Sequence, residues 1–192
     1  MTVKIAMIGA GWVCEARHLP ALRRLPHAEV VGIVDPNESR ARSVAARFGI
    51  PHVSTASSAA DIPWLAEVSA VCISPPPRHH HGWMAACLDL GKDVLIEKPL
   101  ALTRAEAEDL DRRVQAKGVM ACVMHNTLFS RSSIRARRLL ADGAIGPLSA
   151  IQIRLLNSPR RHLPDWYENL PFGLLYDEIG RASCRERVYH PV

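Results

Sequence analysis

Apolar runs and amphipathic stretches alternate along the first 124 residues. Val3 to Ile8 is a compact apolar run, and Val30–Val34, Ala70–Ile73, Val94–Ile96 and Val119–Met124 repeat it. Each is short, continuous and rich in Val and Ile. That pattern predicts strands covered on both faces rather than strands with one wet side. Helical patterns fall between them. Ala41, Val44, Ala45 and Phe48 form an i, i+3, i+4, i+7 stripe that Gly49 closes. Met84, Ala85, Cys87 and Leu88 line a second helix, ended by Gly91. Thr103 and Glu106 make a capping box that opens a third helix running toward Lys117 and Gly118. Pro20 should kink or break the helix that follows the first strand. Strand alternating with helix predicts βαβ units, and hence an α/β fold: a doubly wound parallel sheet of Rossmann type.

The pattern changes after Met124. A helix is expected from about Ser132 to Ala141, ending at Asp142-Gly143. Gly146-Pro147 then turns into a longer strand, in which Ile151, Ile153 and Leu155 alternate with Gln152 and Arg154. Such alternation suits a sheet with one face buried and one wet. The expected division is a Rossmann domain over 1–124, the start of an α/β open-sheet second domain over 125–178, and a separate tail over 179–192.

Composition limits the function classes. At 48% hydrophobic and 22% charged, the 192 residues read as a soluble globular chain. No stretch reaches the length of a membrane span. Strand-like sequence begins at Val3 without the regions of a secretory leader, so a cytoplasmic location is expected. The five cysteines form no C-x-x-C pair and read as reduced thiols. The net charge of +5 is dispersed, and the tail alone contributes +2 of it. The densest internal cluster, Arg131, Arg135, Arg137 and Arg138, reads as a solvated helix face, so no nucleic-acid partner is expected. His79-His80-His81 sit at a helix start and point in different directions, so no metal site is expected there.

The candidate chemistry lies at strand ends. Gly9-Ala10-Gly11 follows the first strand and precedes a helix. In a dinucleotide fingerprint the first glycine allows the tight turn, and the second lets the backbone approach a pyrophosphate at the helix N-terminus. Trp12 and Val13 complete the turn as cofactor-contact candidates, and Cys14 stands where the fingerprint has a third glycine. Asp35 ends the second strand, 24 residues past Gly11, where an acid accepts hydrogen bonds from adenosine ribose hydroxyls. A carboxylate there repels a 2′-phosphate, which favours NAD; Arg40 and Arg42 keep NADP open. Glu97-Lys98-Pro99 follows the fourth strand and delivers a cation to the edge where ligands of open α/β sheets bind.

Taken in order, Gly9-x-Gly11, Asp35, Ser74-Pro75-Pro76, His80, Gly91-Lys92 and Glu97-Lys98-Pro99 resemble the glucose–fructose oxidoreductase / inositol dehydrogenase / MocA family. The resemblance covers residues 3–178 and is most specific from Ser74 to Leu100. It implies an N-terminal Rossmann domain and a C-terminal open-sheet domain. It also implies oxidation of a sugar or polyol hydroxyl, or reduction of the ketone, with NAD(P), by a protein that is a homo-oligomer at full length. Ser74, Pro75, His80, Glu97 and Asn126 would line the cofactor cleft. Lys98 would touch the nicotinamide ribose and the reacting hydroxyl, across a Lys98–Pro99 bond that is often cis. Asp177 resembles the acid of the family's D-x-x-x-H motif. A lysine beside developing charge on oxygen stabilises it and can relay the proton as hydride leaves.

That motif does not complete, because position 181 is Arg181. Residues 179–188, IGRASCRERV, look like a translated sequencing-library adapter, and the tail is expected to be non-native. The chain as given should then bind cofactor but catalyse poorly. Two rival readings stand beside the oxidoreductase. One is an NAD-dependent glycosidase of the same family, marked by tight cofactor retention without net NADH. The other is a non-catalytic NAD-binding module, whose response would survive loss of Lys98.

Overall fold

The computed structural model describes residues 2–150. They fall into two units, 2–124 and 125–150. The strand at 151–155, Asp177 and the tail lie outside the described residues.

The first unit is a six-stranded sheet: β1 Val3–Ile8, β2 Ala28–Val34, β3 His52–Ser54, β4 Ala70–Ile73, β5 Asp93–Ile96 and β6 Ala121–Val123. The order is β3-β2-β1-β4-β5-β6 and every pairing is parallel. Chain direction reverses its march between β1 and β4, so the topological switch point lies there. Five of the six strands match the expected apolar runs. The sixth, β3, was not anticipated: three residues at the sheet edge, none fully buried, leave no apolar run to read.

Alternate residues of β1 serve opposite faces. Ala6 and Ile8 pack with Val71, Ile73, Met84, Leu88 and Leu110, whereas Ile5 and Met7 pack with Cys14, Leu19, Val44 and Cys72. The first face is covered by α3 (His80–Asp89) and α4 (Arg104–Lys117), and the second by α1 (Leu19–Leu22) and α2 (Glu38–Phe48). Leu88 and Leu110 are fully buried, each worth about 1.5–3 kcal/mol of apolar transfer. The helix boundaries are chemical. Thr103 and Glu106 form the capping box, and Gly49 and Gly118 close α2 and α4 in the left-handed region at φ 72° and 62°.

The helix after β1 is irregular. Cys14–His18 is a π turn, in which the Leu19 N–H reaches back to Cys14 O, and regular α1 follows with Pro20 in its first turn. The expected irregularity at Pro20 thus takes the form of a π turn just before it, and the helical backbone continues through His18 and Leu19 into α1.

The second unit holds a short 3-10 turn, Asn126–Phe129, and α5, Arg131–Ala141. Ser130 caps α5 by accepting from Ser133 N at 3.1 Å. Arg131, Arg135, Arg137 and Arg138 are exposed on it.

Candidate functional site

Strand register builds the site. Ile8 pairs with Val34 on one side and with Ile73 on the other, and Ile73 pairs with Ile96. The next residue of each strand is Gly9, Asp35, Ser74 and Glu97. Four candidates separated by up to 88 positions thus leave the sheet as one row across its carboxyl edge. The ladder carries on through them: Gly9 N donates to Val34 O at 2.7 Å, Ser74 N to Ile8 O at 2.8 Å, and Glu97 N to Ile73 O at 2.8 Å.

Gly9 has φ 95° and lies under the next turn. A Cβ on it would come within 2.9 Å of the Pro75 nitrogen and the Ser74 carbonyl carbon. Its glycine is therefore demanded twice, by the left-handed backbone and by the close approach. Gly11 is the opposite case. No described atom lies within 4 Å of where its Cβ would be, so the turn is open there, just before the first helical turn. A closed glycine followed by an open one at a helix N-terminus is a cradle that side chains would fill, and it fits the pyrophosphate of a dinucleotide.

Asp35 secures that cradle. Its Oδ2 accepts from Ala10 N at 2.8 Å and its Oδ1 from Asn37 N at 2.9 Å. The carboxylate is buried, and the half-exposed Arg40 guanidinium lies 3.7 Å from Oδ1. The acid thus holds the glycine turn directly, a part that sequence spacing did not reveal.

Ser74 Oγ is within 3.4 Å of both Ile8 O and Gly9 O, which ties the β4 turn to the β1 turn. His80 does the same between β4 and β5. Its Nδ1 lies 2.6 Å from Pro99 O and its Nε2 2.9 Å from Pro75 O. The ring is 1% exposed. Burial holds its pKa below the ordinary imidazole value, against the opposing pull of the two carbonyls and Glu97. A neutral ring carries one N–H, so its two tautomers trade one hydrogen bond between the two carbonyls. Both ring nitrogens face backbone, so the ring braces the two turns from inside. Its neighbours diverge. His79 is exposed beside Arg78, and His81 pairs with Asp109 at 3.0 Å.

The Lys98–Pro99 bond is cis. Glu97 Oε2 accepts from the Lys98 N–H at 3.2 Å, and Glu97 Oε1 lies 3.2 Å from His18 Nε2. His18 was not among the expected site residues; it stands seven positions after Gly11, a spacing that the π turn obscures.

Trp12 is 65% exposed, carries Arg17 over its ring at 5.3 Å, and lines a groove of 530 Å³ with Glu15, Pro20, Arg23, Arg47 and Phe48. None of the four strand-end residues lines that groove. Val13 opens the π turn as its N-cap without a side-chain bond. Asn126 is exposed and belongs to the second unit. Cys14 is fully buried, and burial pushes its thiol up to about 12, so it is a packing residue rather than a nucleophile.

Residues 3–125 match the family described as an oxidoreductase family with an NAD-binding Rossmann fold. The chain belongs to the glucose–fructose oxidoreductase / inositol dehydrogenase / MocA family. It is 33% identical over 176 residues to inositol 2-dehydrogenase 1 of Saccharopolyspora erythraea, covering 90% of this chain and 50% of that protein. It is 29% identical over 168 residues to a dTDP-3,4-didehydro-2,6-dideoxy-alpha-D-glucose 3-reductase of Streptomyces antibioticus, covering 85% and 50%. A 3-ketoreductase from Actinomadura kijaniata, solved in complex with NADP, superposes with a TM-score of 0.65 at 30% identity, covering 76% of this chain and 46% of that one. The chain spans about half the length of the curated relatives it matches. Family membership confirms the Rossmann reading and its dinucleotide cofactor. Among the described residues, no helix is long and apolar enough to cross a membrane.

Proposed function

We propose that the whole protein is an NAD(P)-dependent dehydrogenase or reductase acting on a sugar, polyol or related hydroxyl or keto substrate. The observation that carries the reading is the row Gly9, Asp35, Ser74 and Glu97 at the switch point, with Lys98 delivered beside it. The named relatives support it, since they include an inositol dehydrogenase and a dTDP-sugar reductase.

The dinucleotide supplies the hydride acceptor or donor. The chain's own residues do the rest. Gly9 and Gly11 admit the pyrophosphate, Asp35 fixes the turn that receives it, and Ser74-Pro75 walls the cleft. Lys98 stabilises charge on the reacting oxygen and passes its proton. Asp177 belongs to this proposal as an acid of the second domain. So do residues 125–178 as the beginning of that domain, 179–192 as a foreign tail, a cytoplasmic location and a homo-oligomeric whole protein. The adenosine side is proposed to prefer NAD, because the Asp35 carboxylate repels a 2′-phosphate; Arg40 beside it leaves NADP admissible.

Lys98→Ala tests the reaction. Turnover of the whole protein should fall by about 10²-fold or more, with cofactor affinity changed only a few-fold. Turnover that survives the substitution would remove Lys98 from the reaction, whereas a whole protein without turnover, whose response to NAD survives the substitution, would leave the NAD-binding module as the better reading. Titration with NADH and NADPH tests the preference, and clearly tighter NADPH binding would overturn it.

A further inference from the structure

The Lys98 turn is held from two sides by histidines that belong to two different helices. His80 meets Pro99 O, as described. His18 meets the carboxylate of Glu97, and nothing in the oxidoreductase reading uses it. His18 is largely buried, at 13% side-chain exposure. Its Nε2 makes no well-aligned hydrogen bond, yet Glu97 Oε1 stands 3.2 Å away. A buried ring nitrogen is costly when unanswered, and this carboxylate is the group placed to answer it. The other oxygen of the same carboxylate accepts from the Lys98 N–H, and the Glu97 N–H is the last rung to β4. Glu97 therefore links His18 to the backbone of Lys98 through one rigid group.

The π turn decides which side chain makes this contact. One residue is about 100° of helical rotation, so the extra residue between Cys14 and His18 turns the following positions by that amount. Along a regular helix from Gly11, a different residue would face Glu97. π turns recur at functional sites because they aim one side chain at the expense of regular bonding.

We propose that His18 is a positioning residue for Lys98, acting through the Glu97 carboxylate. The proposal rests on the oxidoreductase reading only for what Lys98 does, not for where it is held. It ties the helix after the glycine turn to the lysine turn, so an imidazole–carboxylate contact joins the phosphate end and the reacting end of the cleft in addition to the strand ladder.

Three substitutions separate positioning from bulk packing. Glutamine carries its amide nitrogen at about the reach of Nε2, asparagine only at about that of Nδ1, and phenylalanine keeps the ring without a donor. The readout is the rate of reductive methylation at Lys98 in the 192-residue chain, followed by peptide mass spectrometry with Lys4 and Lys92 as internal references. His18→Phe and His18→Asn should each change the Lys98 rate at least threefold with the reference lysines unchanged, and His18→Gln should restore it. An unchanged Lys98 rate in His18→Asn, or no restoration by His18→Gln, overturns the proposal. In the whole protein the same pair of variants should lower kcat about tenfold with cofactor KM held within threefold, again with recovery in His18→Gln. If the whole protein shows no NAD(P)-dependent turnover while His18→Asn still alters Lys98 labelling, the oxidoreductase reading fails and the positioning role stands.

Discussion

His80 and His81 are adjacent in sequence and live in two different parts of the molecule. His80 points into the carboxyl edge of the sheet, fully buried, with both ring nitrogens on backbone carbonyls. His81 points to the outer surface of α3 and α4, where Asp109 also takes Arg113 at 2.9 Å and Arg112 at 3.5 Å, and Arg113 reaches Asp89 at 2.7 Å. The edge has few polar groups, buried or half-buried, and they fix its turns. The flank has many, all partly solvated. Number of interactions and structural consequence therefore run in opposite directions, because a buried polar group must be answered while an exposed ion pair only trades protein for water.

The comparison is broken most severely at Gly9. Gly9→Ala forces a side chain into the left-handed region and against the backbone of Ser74 and Pro75, which cannot swing aside as a side chain could. A loss of about 3 kcal/mol in urea unfolding of the 192-residue chain is expected, with dinucleotide binding abolished. A loss below about 1 kcal/mol would mean that the β4 turn yields, and that the edge is softer than the row of strand ends implies.

His80→Phe comes next. It keeps the ring volume and removes the one N–H that the two carbonyls share, so about 2 kcal/mol should be lost. The pH dependence carries a sign. The folded state disfavours the imidazolium, because burial dominates. The unfolded chain then binds the proton more readily, and this contribution to stability is complete above the ordinary imidazole value and lost as pH falls below it. His80→Phe should therefore flatten the decline in stability on the acid side of neutrality. A variant whose slope equals the parent's would show that His80 does not titrate between the two turns.

How far the sequence could be read follows the same division. The edge was legible because it needs residues with few substitutes: a glycine at positive φ, a capping box, a proline after a strand. Gly9, Gly11, Asp35 and Glu97 were candidates from type and position and Ser74 from the family resemblance, and register then placed four of the five in one row. What could not be read were the partners. That Asp35 bonds Ala10 N, that Ser74 Oγ faces Ile8 O and Gly9 O, and that His80 joins Pro75 to Pro99 all depend on which strands are neighbours, and a sequence pattern does not state strand order. His18 was missed for a local reason: a π turn shifts phase by one residue, and helical periodicity assumes that no such shift occurs. β3 was missed because an edge strand needs no apolar run to pair.

Asp109→Asn is the smallest effect and the sharpest check on the contrast. Arg113 and His81 hydrogen-bond the Asp109 carboxylate and hold its pKa below the ordinary carboxylate value. A depressed carboxylate contributes stability above its unfolded value and loses it as pH falls through the lower folded value, so the contribution is present at neutral pH and disappears only in acid. Yet the group is open to solvent, Arg113 keeps Asp89 as a second partner, and exposed pairs are screened by salt. The unfolding midpoint at neutral pH should therefore move less than in either edge variant, and less again in added salt. If Asp109→Asn instead destabilises as much as His80→Phe and resists salt, then the α3–α4 surface is held by its charges as firmly as the edge is by its buried contacts. The distinction between two neighbouring histidines would then not be one of burial.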